Sequence, residues 1–417
     1  MEPWAILVIL LLILGISTPF WATIGLLRRV GEWQNKSAPE HLARLGRNTV
    51  VPGQVAVLIA AHNEELVISE TISSALTLVP ASNIHVISDG SSDATAEIAL
   101  RAGVNCLELS PNRGKAGALA AGIDHFDLAS NYEVVLLLDA DTRLAPDYLE
   151  TGLPLFAAPD VVAVAGRAVS LPPGGGHGII GRILLGYRER LYAAVQVLIK
   201  YGQASERANV VNIVPGFASM YRTRVLSEID VAAPGLLIED FNMTFEVHAK
   251  KLGRIEFHPS AALAYTQDPD NLKEYVRQVR RWSLGFWQTV RRHGLHRGRF
   301  WAVLLIHIVE LISASLVLIL AVPIVILSQL TDVSLLRPVD LLIGVVLPDF
   351  LLTVFAATVL RRPVLLLWGL AFPLIRLLDA GVCLITLVQA WTRATTGVWV
   401  SPTRRLQPTT ERASLAN

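Results

Sequence analysis

Cysteine is nearly absent: Cys106 and Cys383 are the two in 417 residues, far apart and in segments of different character. A disulfide scaffold and a thiolate metal cluster are therefore excluded. An excess of either charge is missing too, since 36 Lys and Arg stand against 35 Asp and Glu, a formal charge of +1. That leaves no global electrostatic footprint for nucleic acid or for an acidic partner. Charge of any sign is scarce, at 17% of residues against 52% hydrophobic, with mean hydropathy +0.47. A water-soluble chain of this size does not have that balance, so the sequence reads as a membrane protein. Internal repeats and low-complexity tracts are not found.

The apolar excess is local. Residues 3–27 carry no charged side chain and, at helical rise, are long enough to cross a bilayer core of ~30 Å. This predicts an N-terminal transmembrane helix over residues 1–30. A signal peptide has a basic start and a shorter core, whereas this segment begins Met-Glu-Pro and is followed by Arg28, Arg29, Lys36, Arg44 and Arg47. Those cations place its C-terminal end in the cytosol. Residues 48–270 read as one cytosolic globular domain, 271–299 as an amphipathic interfacial segment, 300–392 as a C-terminal transmembrane region and 393–417 as a tail. The result is a multi-pass protein of the cell (plasma or inner) membrane, with membrane lipids as partners.

Within 300–392 the apolar stretches are 311–330, 341–360 and 364–391. Arg291, Arg292, Arg297 and Arg299 before the first two, and Arg361 and Arg362 after them, fit a hairpin with both ends cytosolic. The third stretch either crosses once or doubles back near Pro373, which would return Arg393, Arg404 and Arg405 to the cytosol. Arg376 and Asp379 lie three apart on one helical face, the spacing of a neutralising pair.

The globular segment alternates. Val55–Ala61 (VAVLIAA) reads as a buried strand, followed by a helix over 64–78. Ile84–Ser88 is a second strand, then DGSSD and a helix from about Ala94. Val104–Leu109 is a third strand, with a helix over 116–128 after it, and Val134–Leu138 is a fourth. Strands separated by helix-length segments imply an α/β fold with a largely parallel, doubly covered sheet. Such sheets bind ligands outside the C-terminal ends of their strands. Four polar clusters fall there: His62-Asn63-Glu64-Glu65, Asp89-Gly90-Ser91-Ser92-Asp93, Asn112-Arg113-Gly114-Lys115 and Asp139-Ala140-Asp141.

Each cluster alone has a bland counterpart, and their agreement in position is what carries weight. Asp139 and Asp141 end an apolar strand, and carboxylates there suit Mg²⁺ or Mn²⁺ completed by phosphate oxygens; a turn with capping acids before Pro146 would look the same. Asp89 and Asp93 can accept hydrogen bonds from a nucleotide base or ribose, or serve as a tight turn and N-cap. Asn63 or Glu64 could share the nucleotide contact, Glu64 being equally credible as a first-turn helix acid. Lys115 before a helix can hold phosphate oxygens or face solvent. Glu239 and Asp240 open a helix expected at 241–251, where two acids are ordinary dipole partners, yet Asp240 is also placed to serve as a general base. Finally, Gln278, Arg281 and Trp282 lie in a basic, aromatic stretch suited to anionic lipid, or to a diphosphate and a sugar face.

Taken in this order, these residues resemble the membrane-integrated family 2 glycosyltransferases, relatives of cellulose, hyaluronan, chitin and poly-N-acetylglucosamine synthases. The resemblance covers 55–288. Asp89 in DGSSD is similar to the family's acidic nucleotide motif, Lys115 to its diphosphate lysine, and Asp139 with Asp141 to its metal-binding D-x-D. Ile238-Glu239-Asp240 is similar to T-E-D, whose Asp is the base, and Gln278, Arg281 and Trp282 match Q-x-x-R-W. The resemblance implies a GT-A (Rossmann-like) cytosolic domain flanked by transmembrane helices, a UDP-sugar donor, a divalent cation and inversion at the anomeric carbon. Two departures are present: Ile238 replaces Thr, and Val214-Pro215-Gly216-Phe217 stands where cellulose and hyaluronan synthases have a Cys-containing acceptor loop. That loop, and the Trp399–Arg405 ending (W-x-x-P-x-R), look more like the poly-N-acetylglucosamine synthases.

The expectation is a processive β-polysaccharide synthase extending a glycan acceptor, with an export subunit as a possible partner. A transferase adding one sugar to a lipid-linked acceptor is the alternative, because three or four membrane segments are few for a channel. A transporter or scaffold on a degenerate nucleotide fold has support only from Asp349, Arg376 and Asp379.

Overall fold

Residues 15–35, 50–171, 178–331 and 338–393 are described by a computed structural model of the chain. The expected first half of the N-terminal span, the cations Lys36, Arg44 and Arg47, and the 399–405 motif lie outside the described residues. The described residues form two compact units: 30–35, 50–171 and 211–268 in one, and 15–29, 178–210 and those of 269–393 in the other.

In the first unit, seven consecutive apolar residues make β1 (Val55–Ala61), six of them buried, as a central strand covered on both faces requires. It pairs in parallel with β2 (Ile84–Asp89) and with β4 (Val134–Asp139), and β2 pairs in parallel with β3 (Asn105–Leu109). Register then fixes the ligand edge. Ala61 lies opposite Ser88, Ala60 opposite Asp139, and Asp89 opposite Leu109, so the ends of four strands are level.

The remaining strands are β5 (Arg143–Leu144), β6 (Val161–Ala165), β7 (Arg167–Ser170), β8 (Ala218–Arg222), β9 (Arg254–Glu256) and β10 (Leu263–Thr266). The large sheet has the order β3-β2-β1-β4-β8-β6-β9, and β5-β10-β7 form a second, three-stranded sheet. The large sheet is mixed rather than wholly parallel, because β8 is antiparallel to both β4 and β6. With Ala218 opposite Leu138, β8 enters the sheet at the edge where β4 leaves it. The 214–217 loop is thereby delivered beside Asp139. The core beneath includes Val57, Ile59, Ile72, Val86, Leu136, Leu138, Tyr148, Phe156 and Met220, and each fully buried aliphatic side chain contributes about 1.5–3 kcal/mol.

The expected 48–270 domain is interrupted. Helix Ile179–Ala193, extended by a π-helical stretch Ala194–Lys200, belongs to the second unit, where Leu184 and Tyr187 pack on Tyr275, Phe372 and Ile375. Helix Leu272–His293 buries Tyr275, Leu284, Phe286 and Trp287, and Asn271 caps it by accepting the Glu274 N–H at 2.9 Å. Among the described residues, three helical stretches are long and apolar enough to cross a membrane: Arg299–Leu330, Pro338–Val359 and Val364–Thr392. The last contains a 3₁₀ turn at Gly369–Ala371 but does not double back at Pro373. That proline falls in the first turn of helix Phe372–Thr392, where no backbone donor is needed. Helix Ser17–Asn35 starts under Glu310, whose carboxylate accepts the Ile16 and Ser17 N–H groups at 2.7 and 2.9 Å.

The acidic side chains of these helices bond to residues on neighbouring helices. Asp349, 1% exposed, accepts Arg376 at 3.2 Å and Arg190 at 2.7 Å. Asp379 accepts the hydroxyls of Tyr187 and Tyr275, each at 2.8 Å. Side chains on neighbouring helices thus supply bonds to each carboxylate. One buried carboxylate compensates two guanidinium groups, so its removal takes an anion from both. Asp349→Ala is expected to destabilise the protein by about 3–5 kcal/mol, measured by thermal unfolding in detergent, whereas Thr358→Ala at an exposed site on the same helix should be nearly neutral.

Candidate active site

The loops after β1, β2 and β3 are tied to one another through side-chain to backbone bonds. Asn63 sits in the left-handed region (φ 55°), its carboxamide oxygen accepts the Ser92 N–H at 2.8 Å, and its own N–H donates to the Ser91 hydroxyl at 3.2 Å. Asp93 accepts the Thr95 N–H at 3.0 Å and hydroxyl at 2.5 Å on one oxygen, and the Glu65 N–H at 3.0 Å on the other. Burial raises that carboxyl, and the bonds from Thr95 and Glu65 overcome it, leaving the group below its ordinary value. The polar atoms of Asn63 and Asp93 thus help to build this edge. Glu64, 3% exposed, precedes helix Ile68–Leu76 by four residues and is not its first-turn acid; that position belongs to Glu70.

Asp89 ends β2 and is 2% exposed. Its carboxylate accepts the Arg113 N–H at 2.7 Å, and its backbone carbonyl accepts the Asn112 side-chain amide at 2.9 Å. Burial pushes this carboxyl up, while the Arg113 and Gly114 N–H groups pull it part of the way back. Gly90 beside it adopts φ 63°, and a Cβ there would meet the Asn112 backbone nitrogen at 3.0 Å. Asp89 thus fixes the turn that opens helix Gly114–His125, and that turn aims Lys115.

Lys115 is the centre of the site. Its Nζ lies 2.6 Å from Asp139 Oδ1 and 2.7 Å from Glu239 Oε1, with the Gly216 carbonyl at 3.5 Å. Burial alone would lower the ammonium, but the two carboxylates reverse that and hold it above the usual lysine range. Asp139 is anchored through its N–H, which donates to the Phe217 carbonyl at 2.8 Å, while the Phe217 ring packs on the core. Asp141 follows in the turn closed by the Thr142 N–H on the Asp139 carbonyl at 3.1 Å.

Glu239 and Asp240 open helix Glu239–Ala249, two residues earlier than the expected start at Phe241. Asp240 accepts the Gly216 N–H at 3.2 Å and the Phe241 N–H at 2.7 Å. Burial, reinforced by the Glu239 charge and opposed by Lys115, pushes its carboxyl up to about 7. Gly216 lets the loop pass close to both groups: a Cβ there would lie 3.0 Å from Glu239 Oε1 and from Lys115 Nζ, so one or both would have to shift. Thr244, which carried no signal in the sequence, locks the assembly. Its hydroxyl donates to the Asp240 carbonyl at 2.7 Å and accepts the Val214 N–H at 2.9 Å.

Lys115, Asp139, Gly216, Glu239 and Asp240, far apart in sequence, are thus brought together. Their chemistry fits a hard divalent cation, since oxygen donors dominate and carboxylates outnumber the single ammonium. Among the described residues no group of three or more His, Cys, Asp or Glu side chains forms a metal site by itself. Asp139 and Asp141 would hold such an ion only together with substrate oxygens or water. Gln278, Arg281 and Trp282 lie on helix Leu272–His293 of the other unit, Gln278 and Trp282 one turn apart.

Residues 56–230 match the family model described as glycosyl transferase family 2. The poly-β-1,6-N-acetyl-D-glucosamine synthase of Staphylococcus epidermidis is 29% identical over 253 residues, 57% of this chain and 57% of the relative. That of Staphylococcus aureus (strain COL) is 29% identical over 237 residues, 55% of this chain and 54% of the relative. The chain therefore spans little more than half the length of these relatives. Among solved structures, the mannosyltransferase PcManGT from Pyrobaculum calidifontis, in complex with GDP-Man and Mn²⁺, is similar with a TM-score of 0.54 at 16% identity, covering 89% of this chain and 99% of that one. That likeness bears on the fold, which is GT-A-like.

A buried carboxyl raised to about 7 has a cost for the fold. The unfolded chain ionises this group near pH 4, the folded protein only near 7, so stability falls as pH rises through that window. Asp240→Asn is expected to raise the melting temperature at pH 8 by about 2 °C or more and to leave it unchanged near pH 4, as thermal scans at the two pH values would measure.

Proposed function

We propose that this chain, which carries a glycosyl transferase family 2 domain on a GT-A-like fold and is homologous to poly-β-1,6-N-acetyl-D-glucosamine synthases, is a membrane-integrated, inverting polysaccharide synthase. It transfers a sugar from a nucleotide-sugar donor, a UDP-sugar, to a growing β-linked glycan on the cytosolic side of the membrane. The observation that carries this reading is the convergence of Lys115, Asp139 and Glu239 within ion-pair distance, beside a carboxyl, Asp240, poised near neutral pH.

In this reading Asp89 and Glu64 line the nucleotide end, and Asn63 and Asp93 hold its walls in place. Lys115, released from Asp139, takes the diphosphate oxygens as charge builds on the leaving group. Asp139 and Asp141 would hold Mg²⁺ or Mn²⁺, which supplies further neutralisation of that diphosphate. Asp240 removes the proton of the acceptor hydroxyl as its oxygen bonds to the anomeric carbon. The bond from that carbon to the diphosphate breaks with its electron pair, and attack from the opposite face inverts the configuration. Glu239 keeps Lys115 in position and raises the basicity of Asp240. Gly216 and Phe217 shape the acceptor loop, and Gln278, Arg281 and Trp282 serve the acceptor and the diphosphate. Membrane lipids and an export subunit are the partners this implies.

A single-addition transferase acting on a lipid-linked acceptor is the second reading, favoured by the modest number of spanning helices, three among the described residues. Product size separates the two. Purified protein in nanodiscs with Mg²⁺ or Mn²⁺ is offered UDP-N-acetylglucosamine, UDP-glucose and GDP-mannose in turn, and released nucleotide and product length are measured. Turnover with one UDP-sugar, lowered by about 100-fold or more in Asp141→Asn, together with long chains, is the expected result. A product one sugar longer than a lipid acceptor would favour the second reading, and metal-independent turnover would contradict the role of Asp141.

A further inference from the structure

Arg188 lies on helix Ile179–Ala193 and is 1% exposed. Its guanidinium carbon sits 4.2 Å from the Trp282 ring centroid and 5.1 Å from that of Tyr275, and Nη2 donates to the Gln278 side-chain oxygen. Tyr275, Gln278 and Trp282 follow one another at spacings of three and four, one stripe along helix Leu272–His293. A single planar cation therefore engages two aromatic faces and the amide between them.

The stripe is held from behind as well. Tyr275 and Tyr187 both donate to Asp379 on helix Phe372–Thr392, and the Ser283 and Thr386 hydroxyls lie 2.6 Å apart. Burying a guanidinium is costly unless its donors and its faces find partners. Here the partners include two of the three residues, Gln278 and Trp282, that stand out in this helix for the transfer reaction. Lysine could supply the charge, but its ammonium lacks the plane to stack on Trp282 while donating sideways to Gln278.

We infer that Arg188 is a positioning residue for the acceptor: it fixes the side chains of Gln278 and Trp282 in the orientation in which they receive the glycan. This rests on the reading of Gln278 and Trp282 given above. A residue 90 positions before its motif is bound to it by stacking and a hydrogen bond, not by sequence proximity.

The test uses full-length protein in nanodiscs with UDP-N-acetylglucosamine as donor and an N-acetylglucosamine oligosaccharide as acceptor probe. Arg188→Met should cut kcat/KM for the oligosaccharide roughly tenfold or more, through its KM, with the donor KM moving by less than about twofold. Arg188→Lys should fall between wild type and Arg188→Met. In a Trp282→Ala background the Arg188→Met effect should largely vanish, because the partner is already gone. Wild-type kinetics in both Arg188 variants, an equal rise in both KM values, or full additivity with Trp282→Ala would overturn the inference. If Arg188→Met does not fold, Arg188→Lys with its own Trp282→Ala cycle decides. Absence of sugar transfer by the wild type with every donor would remove the transferase reading and this inference together, whereas an active wild type with unaffected Arg188 variants removes the inference alone.

Discussion

Two carboxylates, Asp139 and Glu239, face one ammonium at 2.6 and 2.7 Å at the C-terminal edge of a sheet. Such a cluster is tolerable in a half-buried place only if its charges are compensated and its backbone neighbours are fixed. Much of the surrounding architecture answers to that demand. Asp89 pins the turn that carries Lys115, Phe217 anchors Asp139 through a backbone bond, and Thr244 clamps the 214–217 loop to the helix bearing Glu239 and Asp240. The antiparallel strand β8 is what brings that loop to the edge.

The same cluster sets the chemistry of Asp240. A solvated carboxyl would be ionised well below neutral pH and would be a weak base. Burial beside Glu239 raises it to about 7, while Lys115 keeps it from rising further. A donor diphosphate that draws Lys115 away would leave Asp240 more basic at the moment an acceptor hydroxyl must lose its proton. In the proposed reaction, donor binding and base strength would be coupled in this way through one lysine.

Much of the site edge was legible in the sequence, because uninterrupted apolar runs such as Val55–Ala61 admit few alternatives, and the polar cluster after each strand lands on one side. The limits of that reading have physical causes. Asp93 and Asn63 bond backbone donors, as short polar side chains next to tight turns do, and which donors they take depends on the neighbouring loop. β8 and the interrupting helix Ile179–Ala193 left no local mark, since a strand's direction and a helix's packing partner depend on non-local contacts. Arg376 and Asp379 have the spacing of a pair, and their bonds to Asp349, Tyr187 and Tyr275 on other helices could not be read from that spacing. Arg188 and Thr244 have no motif at all, and only their contacts give them a role.

The central claim is that Asp240 is the base and that Glu239 tunes it. The pH dependence of kcat/KM for the sugar donor, measured as nucleotide release with saturating acceptor in wild type and in Glu239→Gln, tests it most directly. The account predicts an acidic limb in the wild type near pH 7 that moves to lower pH in Glu239→Gln, because the charge that raises Asp240 is removed. A limb at about pH 4, the ordinary carboxyl range, or one that does not move in Glu239→Gln, would contradict it.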